Sequence, residues 1–150
     1  MDCELALRCF RDGEPAGIPW TALLLLFPVQ TAESTPGMWR IRYDEQNSCA
    51  FAVSPLPLQE SFIESIRIHN PCRDDRLWQA LFTVLRMGHV VLRIPGNSLL
   101  LAADESAADH LPPGMADKPG SLRVVHSGFE IRQAVEDALG REHSVRSLPR

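Results

Sequence analysis

The stretch DDRLWQALFTVLRMGHVVLRIPG, residues 74–96, narrows the choice of folds more than any other part of the chain. Asn70-Pro71 or Asp74 can cap a helix, and Asp74 and Asp75 suit the positive end of its dipole. On a helical wheel Leu77, Trp78, Leu81, Phe82, Val84 and Leu85 fill an arc of about 160°, with Arg76, Gln79, Thr83 and Arg86 opposite. A stripe that wide has to be covered. Gly88 supplies a stop, and residues 89–94 then read as a strand that ends in the Pro95-Gly96 turn. A helix followed this closely by a strand predicts helices laid on a sheet. The segment is therefore scaffold, and only its exposed Arg76, Arg86 and Arg93 suit a working surface.

The flanking sequence points the same way. Residues 3–10 alternate in part and suit a first strand, closed by Arg11-Asp12-Gly13-Glu14-Pro15. Residues 18–27 fit either a short helix with Pro19 in its first turn or a buried strand, and the helix is preferred. Within residues 38–43, Trp39, Ile41 and Tyr43 share one face while Arg40 and Arg42 share the other. With residues 49–53 they predict a hairpin buried on one side. Residues 62–69 make another strand, using Phe62, Ile66 and Ile68. Residues 99–103 should pair antiparallel with 89–94. A short helix capped by Asp104 is expected over 104–110, and a strand over 121–126.

Ser127-x-x-Glu130 matches a capping box and opens a helix that turns Ile131, Ala134, Val135, Ala138 and Leu139 inward, with Gly140 as its end. Loops are expected at 31–37, 54–59 and 112–120; two prolines in the second remove ladder donors. The sum is an α+β fold: a mainly antiparallel sheet with two main helices packed on one face and one or two short helices. Residues 1–140 form one globular domain, and 141–150 a polar tail.

Composition limits what such a domain does. With 45% hydrophobic residues in a chain of 150, there is enough apolar side chain for a sizeable core. The net charge of -4 argues against nonspecific nucleic-acid binding, which requires a cationic surface. The first residues, MDCELALRCF, carry acidic groups where an export signal has basic ones. The longest apolar run, residues 22–29, falls far short of the roughly 20 residues that span a bilayer. A cytoplasmic protein that does not engage membranes is expected. Cys3, Cys9, Cys49 and Cys72 form no C-x-x-C pair and read as reduced thiols.

Motifs for chemistry are sparse. His69-x-x-Cys72 could give two zinc ligands, but nothing supplies a second pair. Gly96-Asn97-Ser98 lacks the second glycine of a nucleophile elbow and leads into a strand. Lys118, the single lysine, sits in a proline-glycine loop with no phosphate-binding glycine pattern around it. No cofactor, no metal and no enzymatic activity are expected. The carboxylates of Asp44, Glu45, Asp104, Glu105 and Asp109, with Trp39 and Tyr43 as aromatic anchors, form the candidate partner-binding set.

The run LWQALFTVLRMGHVVLRIPGNSLLLAA, followed by DHLP and then RVVHSGFEI, resembles small bacterial toxin-immunity proteins in overall style. The resemblance covers about residues 66–135 and involves no diagnostic motif. It implies a cytoplasmic chain that binds a cognate secreted or contact-delivered toxin and occludes its active site, so no catalytic residue is carried over. Two other classes fit the same residues: a small enzyme whose site is assembled from distant loops, and a regulatory or adaptor domain.

Overall fold

The structure is a computed structural model that describes residues 2–31, 37–57, 61–115 and 121–147. In chain order its elements begin with strands β1 (Glu4–Arg11), β2 (Glu14–Pro15) and β3 (Ile18–Pro19), then helix α1 (Trp20–Leu26). Strands β4 (Val29–Thr31), β5 (Met38–Arg42), β6 (Ser48–Ser54), β7 (Phe62–Ile63) and β8 (Ser65–His69) follow. Helix α2 (Asp75–Leu85) leads to β9 (Val90–Arg93) and β10 (Leu100–Ala102), then a 3-10 helix (Glu105–His110), β11 (Leu122–Val124) and α3 (Gly128–Ser147).

Alternation along β1 decides its place. Leu5, Leu7 and Cys9 point to one side and are buried, while Arg8 on the other is exposed. The strand lies inside the sheet, whose order is β11-β10-β9-β1-β8-β6-β5-β4. Register pairs Leu5 with Ile68, and Leu7 with both Ile66 and Leu92. It also pairs Phe51 with Ile68, and Leu101 with Leu92. Residues directly opposite each other share a face, so these apolar side chains make one continuous surface.

Onto that surface α2 contributes Leu77, Trp78, Leu81, Val84 and Leu85, and α3 contributes Ile131, Ala134 and Val135. Full burial of each large aliphatic side chain favours folding by about 1.5–3 kcal/mol. Trp78 is satisfied as well as buried, because its Nε1–H donates to the Cys72 carbonyl at 3.1 Å. The two helices approach very closely where α3 begins. A Cβ built on Gly128 would lie 2.5 Å from the Trp78 carbonyl carbon and 2.6 Å from the Gln79 nitrogen.

The mixed fold and the mostly antiparallel sheet are as the sequence predicts. Residues 18–27 supply the short helix α1, and Asp74 caps α2 by accepting the Arg76 N–H at 2.9 Å. Several details differ. Residues 62–69, expected as one strand with Phe62 turned inward, split at Glu64 into β7, which pairs with β3, and β8 in the main sheet, and Phe62 is exposed. The β10–β11 pair is parallel, because the chain crosses over through the 3-10 helix on the face opposite α2 and α3. There Ala107 and Leu111 cover Phe10, Val91, Leu100 and Ala102. Helix α2 ends without a left-handed glycine: the Arg86 N–H bonds to the carbonyls of Phe82 and Thr83, tightening the last turn before Gly88 is reached. Gly140 does not end α3, which continues to Ser147, so residues 141–147 of the expected tail are helical. At its start, Ser127 Oγ accepts the Glu130 N–H at 3.1 Å, but Glu130 takes the N–H of His126 rather than that of Ser127. The expected loops at 31–37, 54–59 and 112–120 and the tail residues 148–150 fall partly or wholly outside the described residues.

Candidate interaction surfaces

The predicted binding residues divide into two groups. Trp39, Tyr43, Asp44 and Glu45 lie on or just beyond β5, whereas Asp104, Glu105 and Asp109 follow β10. Five strand spacings separate β5 from β10 in the sheet order. At about 4.8 Å each, that places the groups on the order of 24 Å apart. They are not one patch.

In the first group most side chains hold local structure. Trp39 is half-buried, with its ring centroid 5.1 Å from that of Trp20, so it helps to seat α1. Asp44 folds its turn by accepting from the Gln46 N–H at 2.8 Å and the Asn47 N–H at 2.9 Å. The Asn47 side-chain amide adds to these bonds, and together they hold the Asp44 carboxyl below the usual carboxylate range. Arg76 ties this turn to α2. Its guanidinium makes a two-point contact with Asp74, at 2.9 and 2.7 Å, and lies 4.9 Å from the centre of the Tyr43 ring. Burial pushes the Tyr43 hydroxyl well above the usual phenol range. Glu45 remains exposed.

The second group borders a groove of about 300 Å³ lined by Leu85, Arg86, Met87, His89, Asp104 and Ser106. Asp104 caps the 3-10 helix through the Ser106 N–H at 2.8 Å, and this bond lowers its carboxyl from the ordinary value. Glu105 and Asp109 are exposed. Beside them the rings of His89 and His110 stack with centroids 3.5 Å apart, inclined at 12°. His110 Nδ1 accepts the Asp12 N–H at 3.1 Å, which places the ring proton on Nε2 when the ring is neutral. Among the described residues, no three His, Cys, Asp or Glu side chains gather as a metal site. Nor is any helix among them long and apolar enough to cross a membrane.

Two thiols are held protonated by burial. Burial pushes Cys49 up to about 12, with the neighbouring Cys72 contributing, and Cys9 is raised for the same first reason.

Two exposed features were not singled out from sequence. Helix α1 reads WTALLLL, but it buries only Leu23 fully. Leu25 lies about 160° round the wheel from Leu23, and it is 89% exposed. Leu24 and, on β7, Phe62 are also exposed. They sit at the same corner, because β3 runs directly into α1 and pairs Pro19 with Phe62. The other feature is the sheet face opposite α2 and α3, which beyond the 3-10 helix displays arginines from five strand positions: Arg8, Arg40, Arg42, Arg67 and Arg93. Alternation in residues 38–43 signals Arg40 and Arg42. Placing Arg67 and Arg93 beside Arg8 requires the strand order. No protein-family model, curated protein or solved structure matches this chain.

Proposed function

We propose that this chain is a binding protein that neutralises a cognate bacterial toxin by covering the toxin's active site in the cytoplasm. The observation that supports a binding role is the solvent pole of α1. An isolated exposed leucine is ordinary, but exposed Leu24 and Leu25 are neighbours on α1, and exposed Phe62 stands opposite Pro19 at the start of that helix. Clustered exposed apolar side chains mark docking sites. The corner is stiff, since Trp20 packs on Trp39 and stacks on Phe51, with centroids 6.2 Å apart in the latter pair. A rigid apolar anchor of this kind is what a binding hot spot requires. The extended sheet with α2 and α3 on one face serves as its backing. Occlusion calls for neither cofactor nor metal, and the choice of a toxin as the partner rests on the sequence resemblance alone.

The test is co-expression and co-purification with the product of the adjacent reading frame, scored for complex formation and for protection of the host cell. Leu25→Asp should weaken the complex by about thirtyfold or more, the loss expected of a hot spot worth about 2 kcal/mol. An undiminished complex removes α1 from the interface, and no complex with no protection removes the toxin reading. A small enzyme is the second reading, favoured by the groove that brings Arg86, His89, Asp104 and Ser106 together. His89→Ala should leave protection unchanged if occlusion is the mechanism.

A further inference from the structure

We infer that the part of the sheet face opposite α2 and α3 that the 3-10 helix leaves open is a docking surface for an acidic segment of a partner protein. Register lays out the surface. Arg93 is opposite Ala6, Ala6 is opposite Arg67, and Arg67 is opposite Ala52, so arginines alternate with alanines across four strands. Arg8 stands two residues along β1 from Ala6, diagonal to both Arg67 and Arg93. Such diagonals measure about 7–8 Å. Arg40, opposite Ala50, and Arg42, opposite Ser48, extend the patch over β5 and β6. Short side chains between the arginines leave the aliphatic stems and guanidinium heads open to a flat or extended ligand.

Charge distribution identifies the ligand. These five arginines are a third of the 15 basic residues of a chain whose net charge is -4. Among the described residues the carboxylate paired with them is Glu4, its Oε1 3.5 Å from Arg67 Nη1 without hydrogen-bond geometry. Arg40 donates to Ser48 Oγ at 3.1 Å, and Arg8 lies over the buried ring of Phe10. No ion pair engages Arg8, Arg42 or Arg93 among the described residues. Concentrating like charges on one face of an acidic protein is unfavourable in isolation and is relieved by an anionic partner. Guanidinium groups pair with carboxylates in forked geometry. Sheets that bind single-stranded nucleic acid stack bases on exposed aromatic rings; among the described residues the rings on this face are Phe10, 1% exposed, and the half-buried His69, which stands opposite Glu4. A carboxylate-rich polypeptide is the occupant that fits. The surface lies on the side of the sheet opposite α1 and does not depend on the toxin proposal.

A fluorescein-labelled poly-glutamate peptide is the probe, followed by anisotropy at low salt with labelled polyuridylate as the rival ligand. The peptide should bind and be released as salt rises. Arg93→Glu and, separately, Arg67→Gln should each weaken it by about tenfold, whereas Arg86→Glu, at the end of α2, should leave it unchanged. Urea midpoints confirm that each variant is folded. Leu25→Asp should retain peptide binding, which separates this surface from the α1 corner. The inference is overturned by tighter binding to polyuridylate, by indifference of the peptide to both arginine changes, or by a self-association that Arg93→Glu abolishes.

Discussion

Replacing Gly128 with alanine is the sharpest test of how the two large helices meet. The new methyl group would arrive 2.5–2.6 Å from three backbone atoms of Trp78 and Gln79. Ordinary carbon contacts begin near 3.5 Å, so the start of α3 has to withdraw by about 1 Å. Backbone borders the clash, and no rotamer change can relieve it. Overpacking of this kind costs about 1–3 kcal/mol, while the lower chain entropy of alanine in the unfolded state returns about 0.4–1 kcal/mol. A net loss of about 1–2 kcal/mol is expected. With a urea slope of about 2 kcal/mol per molar, the midpoint should fall by about 0.5–1 M with the slope unchanged. Gly140, in the same helix, is the internal control, because a Cβ there meets nothing within 4 Å. Gly140→Ala should therefore raise stability by about 0.5–1 kcal/mol. A Gly128→Ala midpoint at or above that of the wild type would sink the close-approach argument, and so would equal effects at the two glycines.

The remaining expectations concern caps, the core and alkaline pH. Asp74→Ala removes the acceptor for the Arg76 N–H and the anchor for its guanidinium, and should lower stability by about 1 kcal/mol in the same urea titration. Trp78→Phe leaves the Cys72 carbonyl without its buried donor and should cost about 1–3 kcal/mol, more than a change of ring size alone would suggest. Cys49 keeps its proton up to about 12 when folded, while an unfolded thiol loses it near its ordinary value of 9.0. Stability should therefore fall as pH rises from about 9 towards 12, by up to about 1.4 kcal/mol per pH unit from this group. Cys49→Ala should flatten that slope, measured by urea midpoints at stepped pH. In native protein at pH 8, Cys49 should also resist a thiol-specific reagent that labels it promptly after unfolding.

Period was the most legible property of the sequence. The apolar arc of α2, the two faces of residues 38–43 and the caps at Asp74 and Asp104 are local, and a single stretch of chain specifies each. Pairing over long distance was not legible. Nothing near Arg67 or Arg93 shows that β1 lies between their strands, so the arginine face emerges only once Ala6 is seen opposite both. Gly128 is hidden for the same reason: the contact that excludes a side chain comes from residues 78 and 79. Gly140 misled in the other direction, since a glycine that looks like a helix stop is overruled by buried Ala134, Val135 and Ala138 on the preceding turns. The candidate carboxylates were found as residue types, but whether they converge depends on the sheet order, which sets them at separate ends.

Strand β1 is made first and yet lies between β8 and β9, pairing with residues 65–69 on one side and 90–93 on the other. During synthesis its first partner, β8, is complete only after about 58 further residues, and β9 after about 82. At roughly 5–20 residues per second, the first wait lasts about 3–12 s. Throughout it Leu5, Leu7 and Phe10 belong to a nascent chain with no sheet to enter, although β1 can already close its short turn with β2. The unmatched strand is thus a natural substrate for a holding chaperone, and synonymous codons that slow translation between residues 11 and 65 should lower soluble yield without altering the finished protein.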